Sequence, residues 1–168
     1  MVQTNYSIFQ EKGFEGGLAT CQNPTSLQGT YSELVNGSIT DYLSFGRVIV
    51  LNAIDPSKVK LPSAAGQNPQ GVTVAVNAYE KDVNGQAGYP PERPVTRLIK
   101  GAIFVVPEVA VTGGDPVYFR HTLNAVPGAY EARGRVRNNA DGDKADLWTK
   151  ATFLESAAAG ELVALQID

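Results

Sequence analysis

The strongest constraint on this chain is the way that glycine and proline interrupt its apolar runs. Its 168 residues include 17 Gly and 10 Pro, and these recur between short runs rich in β-branched side chains. Such spacing is typical of short strands joined by turns. The clearest strand predictions are residues 47–51, 71–76, 95–106 and 117–120.

The end of the chain predicts a hairpin, because the alternating segments 149–155 and 161–167 flank a run of small residues at 156–160. Gly101 interrupts the run 95–106, which leaves open two closely joined strands or one strand with a bend or bulge. The total is about seven or eight short strands with no convincing helix. The predicted fold is therefore all-β, a compact antiparallel β-barrel or β-sandwich.

Composition and net charge exclude or disfavour several classes of protein for this chain. A chain with 43% hydrophobic and 18% charged residues is long enough to bury a core as one compact domain. Its single cysteine, Cys21, excludes an intrachain disulfide framework and a cysteine-rich zinc site. A net charge of −3 argues against capture by nucleic acid or an anionic membrane. With neither a signal sequence nor a membrane-spanning run, we expect a soluble protein.

The first part of the chain differs in character from the rest. Residues 1–43 are polar and aperiodic, with scattered apolar anchors such as Phe9, Phe14 and Leu18, whereas residues 44–168 carry the strand pattern of a β-domain. Two interpretations stay open for residues 1–43. They form either an irregular segment packed on their own domain or an arm that becomes ordered on a partner.

The sequence nominates no catalytic residues. His121 is the one histidine, and at a strand end we expect it to be exposed to solvent. Cys21 has no base near it in the sequence. Phosphate-binding glycine loops are absent, and no spacing nominates a carboxylate pair. We therefore predict a protein that is not an enzyme and uses no cofactor.

An acidic stretch at residues 141–146 resembles the start of a calcium loop, since alternating carboxylates can converge on one cation. The match ends at Ala145 and Asp146, which stand where the pattern requires an oxygen ligand and a glycine. The sequence favours a solvated acidic loop over a weak cation site, and no metal site is predicted.

The most unusual cluster is basic. In an extended segment, Arg133, Arg135 and Arg137 would project three guanidinium groups from one face, about 7 Å apart in series. The interpretations, in decreasing order of preference, are a solvated face, a contact with an acidic protein surface, and a contact with nucleic acid. The last is disfavoured because no aromatic residues interleave with the arginines.

Several segments, taken in order, resemble the structural cement proteins that decorate the heads of tailed bacteriophages. The resemblance runs through most of the chain, although residues 90–94 and 133–146 depart from it. The segments that carry it are residues 13–19, 44–48, 59–62, 71–75, 100–105, 114–120, 151–154 and 156–160.

This resemblance implies a non-enzymatic protein, made in the host cytoplasm, that binds the major capsid protein on the outer surface of the virion. It implies a homotrimer at three-fold or quasi-three-fold positions, which reinforces the head against the pressure of packaged DNA without contacting nucleic acid or a membrane. The candidate capsid contacts are Phe9, Phe14, Leu18, Arg133, Arg135 and Arg137.

A competing prediction is a carbohydrate- or receptor-binding β-domain on a virion surface. β-Domains of this size commonly carry such sites, and tyrosine rings offer faces on which sugars stack. The candidate stacking residues are Tyr79, Tyr89, Tyr118 and Tyr130.

Overall fold

A computed structural model describes residues 13–19, 30–38, 42–75 and 87–168. These residues form strands, turns and loops, and none of their segments is a helix that could span a membrane. The all-β prediction is therefore confirmed. The strands are β1 Thr30–Asn36, β2 Val48–Leu51, β3 Lys58–Lys60, β4 Pro69–Thr73, β5 Pro94–Val105, β6 Pro116–Arg120, β7 Val136–Arg137, β8 Ala145–Phe153 and β9 Val163–Ile167.

The first five strands close into a small barrel. Their order is β1-β3-β2-β4-β5, and β5 pairs back onto β1. The pairing of β1 with β3 is parallel, while the other pairings in this ring are antiparallel. Closure gives each of these strands two neighbours, so that most backbone groups find partners within the ring.

The remaining strands extend from the barrel in the order β5-β9-β8-β6-β7, with antiparallel pairing throughout. Val136 in β7 also forms a parallel bridge with Pro107, two residues after the end of β5. The backbone N–H of Glu108 donates to the carbonyl of Val136 at 2.9 Å. This second sheet therefore curls back toward the strand from which it starts.

Strand β5 belongs to both sheets. Its first half pairs with β1 and β4, and from Gly101 onward it pairs with β9. Gly101 has a φ of 126°, a backbone conformation that favours glycine. Of the two alternatives left open by the sequence, the structure has one continuous strand of 12 residues.

The core follows the alternation of the strands. Val48 and Val50 of β2 pack into the larger hydrophobic cluster, whereas Ile49 between them packs into the smaller one. The smaller cluster includes Leu43, Ile49, Val59, Tyr89 and Val95. The larger cluster draws on both sheets and includes Val50, Val72, Ile103, Phe119, Trp148, Phe153 and Leu165.

Six strands coincide with predicted runs, and the predicted C-terminal hairpin is the antiparallel pair β8–β9. Three strands, β1, β3 and β7, were not predicted. β1 lies inside residues 1–43, where it completes the barrel by pairing with β5. Phe9, Cys21 and Tyr79 lie outside the described residues.

We predict that Gly71→Ala strongly destabilises the protein. Gly71 has a φ of +124°, and a Cβ there would lie 2.3 Å from the carbonyl oxygen of Leu98 in β5. We expect the free energy of unfolding in urea to fall by about 3 kcal/mol or more.

The matched control is Gly66→Ala. Gly66 also has a positive φ, of +76°, but a Cβ there would meet nothing within 4 Å. This variant should lose only about 1 kcal/mol, from backbone strain alone. Equal losses in the two variants would contradict the close approach of β4 to β5.

Candidate interaction surface

Residues 13–19 dock as an added strand segment along the second half of β5. The N–H of Gly16 donates to the carbonyl of Phe104 at 2.8 Å, and the N–H of Phe104 donates to the carbonyl of Gly17 at 2.8 Å. Leu18 forms an antiparallel bridge with Ile103. Residues 13–19 therefore pack on their own chain in this structure.

The predicted apolar anchors of this segment have different environments. Phe14 is 59% exposed, whereas Leu18 is partly buried against the larger hydrophobic cluster. Gly16 allows the close approach, because it has a φ of +81° and a Cβ there would lie 2.8 Å from the Cβ of Phe45. The docked backbone therefore holds Phe14 on the surface.

Glu15 links this segment electrostatically to two arginines. Its carboxylate lies 3.8 Å from Nε of Arg47 and 3.8 Å from Nη2 of Arg135. Arg47 is buried, and this burial lowers its pKa to about 10, against the opposite effect of Glu15. A buried guanidinium requires a nearby anion, so Glu15 helps to hold the segment in place.

The three arginines predicted as a stripe do not share one exposed face. Arg133 is exposed, Arg135 is half-buried, and Arg137 is buried in β7. The alternate side chains do not share a face, because the segment is not extended. Residues 132–135 form a turn, in which the N–H of Arg135 donates to the carbonyl of Ala132 at 3.1 Å. Gly134 at its centre has a φ of +76°. The prediction of a single extended face is therefore wrong.

Arg137 belongs to an internal cluster of charges whose centre is Arg120. The side chain of Arg120 is 1% exposed, and its Nε donates to both carboxylate oxygens of Glu108 at 2.8 Å. Its Nη2 donates to Asp141 at 2.5 Å, and its Nη1 lies 3.3 Å from Glu131. Arg137 lies 2.7 Å from the same carboxylate of Asp141. The burial of each charge is thus compensated by opposite charges in direct contact.

These contacts shift the ionisation of the carboxyl groups in different directions. The hydrogen bond from Arg120 lowers the pKa of Asp141 to about 2. Burial raises the pKa of Glu108, although Arg120 and Arg137 oppose this effect. Hydrogen bonds from Asn124 and Gly128 outweigh burial at Glu131 and lower its pKa. Asp141 is therefore the group in this cluster whose ionised form the fold favours most clearly.

The structure contradicts a second expectation, that His121 is exposed to solvent. It is buried rather than exposed, because pairing continues past the end of β6, where its N–H donates to the carbonyl of Lys144 at 3.0 Å. Its Nδ1 lies 2.9 Å from the hydroxyl of Thr122, and its Nε2 lies 3.6 Å from a carboxylate oxygen of Asp146.

The acidic stretch 141–146 is only partly solvated. Asp141 binds the two arginines described above, and Asp146 accepts a hydrogen bond from the N–H of Gly66 at 2.7 Å. Asp143 is exposed. In the described ranges, no group of three or more His, Cys, Asp or Glu side chains could hold a metal ion.

The tyrosines considered for sugar stacking do not share one environment. Tyr89 is fully buried, and its hydroxyl donates to the carbonyl of Val74 at 2.6 Å. Tyr118 is half-buried and Tyr130 is 45% exposed. Burial thus removes Tyr89 from the candidate stacking faces.

Sequence reasoning missed the Arg120 cluster, although Arg120 lies in a predicted strand. Its carboxylate partners Glu108 and Asp141 are 12 and 21 positions away in the chain. No local spacing rule relates groups at such separations. The only signal is a charged residue in an otherwise apolar strand, which requires a buried counter-charge.

The class of protein that these observations define is a small all-β protein. The charged groups that tertiary structure brings together neutralise one another. A family model described as structural cement protein (E217 gp24/Pam3 gp6) matches residues 2–168, and the chain belongs to this phage structural cement family. The resemblance seen in the sequence is confirmed. Membership supports a structural, non-enzymatic role in stabilising a phage capsid.

One solved structure shares the fold of this chain. A chain in the capsid of Myoviridae phage XM1 has a TM-score of 0.63 at 14% identity, with 99% of this chain and 98% of that chain covered. The N base of head fiber gp8.5 of bacteriophage phi29 has a TM-score of 0.40 at 13% identity, with 83% and 95% covered. No curated protein sequence matches the chain.

We predict that Asp141→Asn destabilises the protein at neutral pH and removes part of its acid sensitivity. Because the folded pKa of Asp141, about 2, lies below the ordinary aspartate value of 3.8, ionised Asp141 stabilises the fold above about pH 5. That contribution is lost as the pH falls toward 2. We expect a loss of about 1 to 2 kcal/mol at pH 7, since the side chain is partly exposed.

The measurement is urea unfolding between pH 7 and pH 2.5, with Asp143→Asn as the control. Asp143 is an exposed carboxylate of the same loop and also has a positive φ, of 63°. The difference in stability between wild type and Asp141→Asn should shrink as the pH falls. A difference that does not change with pH would contradict the ion pair.

Proposed function

We propose that this protein is a cement protein of the outer capsid surface, where it binds the major capsid protein of an assembled head and reinforces the shell against internal DNA pressure. Membership of the structural cement family supports the role. The observation that carries the contact is Phe14, a large apolar side chain that a docked backbone segment holds 59% exposed. Phenylalanine is among the aromatic residues that are enriched in protein interfaces relative to the rest of the surface.

The mechanism is adhesion rather than chemistry. A shell under pressure fails when neighbouring subunits separate, and a protein that binds across a junction adds its own binding free energy to the cost of separation. Binding is most effective when the protein does not become ordered on contact, since ordering consumes part of the interaction energy. The pairing of residues 13–19 with β5 meets this requirement for Phe14.

We further propose that the protein acts as a homotrimer at three-fold or quasi-three-fold positions. Three copies around one axis each contribute a small contact, and after the first contact forms the others become intramolecular. The trimer then dissociates only when all contacts open together. In this way a 168-residue protein achieves a durable attachment from individually weak contacts.

The test is co-sedimentation with heads of the parent phage that lack the protein. We expect saturable binding of wild type to expanded heads and none to compact precursor shells. Phe14→Ser should bind at least about tenfold more weakly, because it removes an apolar contact of the interface. Circular dichroism should show an unchanged fold.

The matched control for Phe14→Ser is Ile54→Ser, which removes an apolar side chain that is 94% exposed in the turn between β2 and β3. We expect this control to bind heads as wild type does. A folded wild-type protein that binds neither kind of shell would refute the proposed function. Equal binding by Phe14→Ser and wild type would show that Phe14 is not part of the contact with the capsid.

A separate prediction concerns charge. Arg133 is the exposed member of the three arginines, whereas Arg137 binds its own chain. If Arg133 meets an acidic capsid patch, Arg133→Ser should weaken binding and reduce its dependence on salt concentration. Arg93→Ser, which removes another exposed arginine, serves as the control. A salt dependence identical to that of wild type would show that Arg133 faces solvent and does not contact the capsid.

A further inference from the structure

Residues 122–130, between β6 and β7, form a loop that exposes apolar side chains and contains no charged residue. Val126 is 86% exposed, and Leu123 and Tyr130 are 37% and 45% exposed. We call these residues the knob. Loops that face only water are normally rich in polar side chains, so this composition requires a reason.

The knob is closed at its base by one carboxylate. The backbone N–H of Asn124 donates to Glu131 at 2.5 Å, and the N–H of Gly128 donates to the other carboxylate oxygen at 3.1 Å. The side-chain amide of Asn124 donates to that same oxygen at 2.9 Å. Glu131 thus links two separate positions of the loop, Asn124 and Gly128, through hydrogen bonds. This is the arrangement of a compact Ω-like loop.

The Arg120 cluster lies beneath this base. Nη1 of Arg120 donates to the carbonyl of Thr122 at 2.9 Å and lies 3.3 Å from Glu131. The ammonium group of Lys144 donates to the side-chain carbonyl of Asn124. Charge-assisted hydrogen bonds of this kind are stronger than neutral ones, and they hold the loop against buried, immobile groups.

Tyr130 is fixed from the opposite side by the turn between β8 and β9. Its ring lies against Gly160, where a Cβ would come within 2.3 Å of two ring carbons. Its carbonyl accepts a hydrogen bond from Nη1 of Arg135 at 3.2 Å. The knob is therefore held at its base and at its end, while Val126 at its tip remains in water.

The charged side chains next to the knob point in different directions, some into the protein and some toward solvent. Carboxylates close to its base are turned inward, since the side chain of Glu131 is 6% exposed and bonded to Arg120 and the loop backbone. The first charged residue after Glu131 is Arg133, which is exposed. An apolar tip followed by an outward arginine matches a partner whose apolar recess is bordered by carboxylates.

The knob is also connected to the surface that carries Phe14. Arg135 contacts the carbonyl of Tyr130 at one end of the knob and lies 3.8 Å from the carboxylate of Glu15, which follows Phe14. The two exposed apolar features are thus joined through one half-buried side chain.

We propose that residues 122–130 are a preformed apolar knob that inserts into an apolar, acid-rimmed recess of the capsid shell. This inference rests on the proposed function and adds a second contact surface to it. A tip without charge loses little hydration on burial, and a loop that is already rigid loses little entropy. The buried ion cluster keeps the tip in its binding conformation before contact.

The experiment measures binding of Val126→Ser and Val126→Asp to expanded heads by co-sedimentation, with Ile54→Ser and Ile54→Asp as controls. We expect Val126→Ser to bind at least about tenfold more weakly than wild type, and Val126→Asp to bind more weakly still, because its carboxylate would face an acidic rim. The Ile54 variants should bind as wild type. Thermal unfolding of each variant shows that the fold is intact.

Loosening the base provides an independent variant. Glu131→Gln keeps every apolar side chain of the knob but weakens the hydrogen bonds that close it. We expect weaker binding from this variant, with a faster dissociation rate. A folded Glu131→Gln protein that dissociates at the wild-type rate would overturn the claim that the knob is preformed.

The outcomes separate this inference from the proposed function. If wild type binds heads and the two Val126 variants bind equally well, the knob is not a capsid contact and the cement role stands. If wild type does not bind heads, both are refuted. Light scattering measures the mass of each free protein. A Val126 variant that loses self-association but keeps head binding would assign the knob to a second copy of this chain, against the proposal.

Discussion

The continuity of β5 through Gly101 is the constraint on which the rest of this structure depends. One strand of 12 residues supplies backbone partners to β1 and β4 in its first half and to β9 and residues 13–19 in its second half. The barrel and the second sheet therefore share one hydrogen-bonded backbone and one hydrophobic cluster. The docked N-terminal segment and β7 both take their positions from this second half or from the residues just after it.

The buried charges place a second constraint on the surface. Removing the guanidinium of Arg120 from water is costly unless carboxylates surround it, and Glu108, Glu131 and Asp141 do so from three separate loops. Each loop is thereby held where its carboxylate must be. Glu131 has two roles: its carboxylate neutralises Arg120, and it accepts the hydrogen bonds that close residues 122–130. The buried charge cluster therefore fixes the position of an exposed apolar loop.

The strands that the sequence predicts are those whose apolar residues are sufficient to reveal a period. β2, β4 and β6 each place several buried side chains within four or five residues, and β8–β9 adds a turn signal between them. By contrast, β3 is three residues long with one buried side chain, and β7 has only two residues. A period cannot be read from so few positions. These strands, and β1 within residues 1–43, exist because neighbouring strands offer backbone partners.

The sequence by itself determined the all-β class, most strand positions and the family, since turn residues and alternation are local and an ordered set of such segments is specific. It also identified Phe14 and Arg133 as candidates, both of which are exposed. Only the tertiary structure decided that Arg137 and His121 are buried and that Arg120 binds three distant carboxylates. Exposure and ion pairing depend on which chain segments meet in space, and residues that are 11 to 21 positions apart carry no local signal of that meeting.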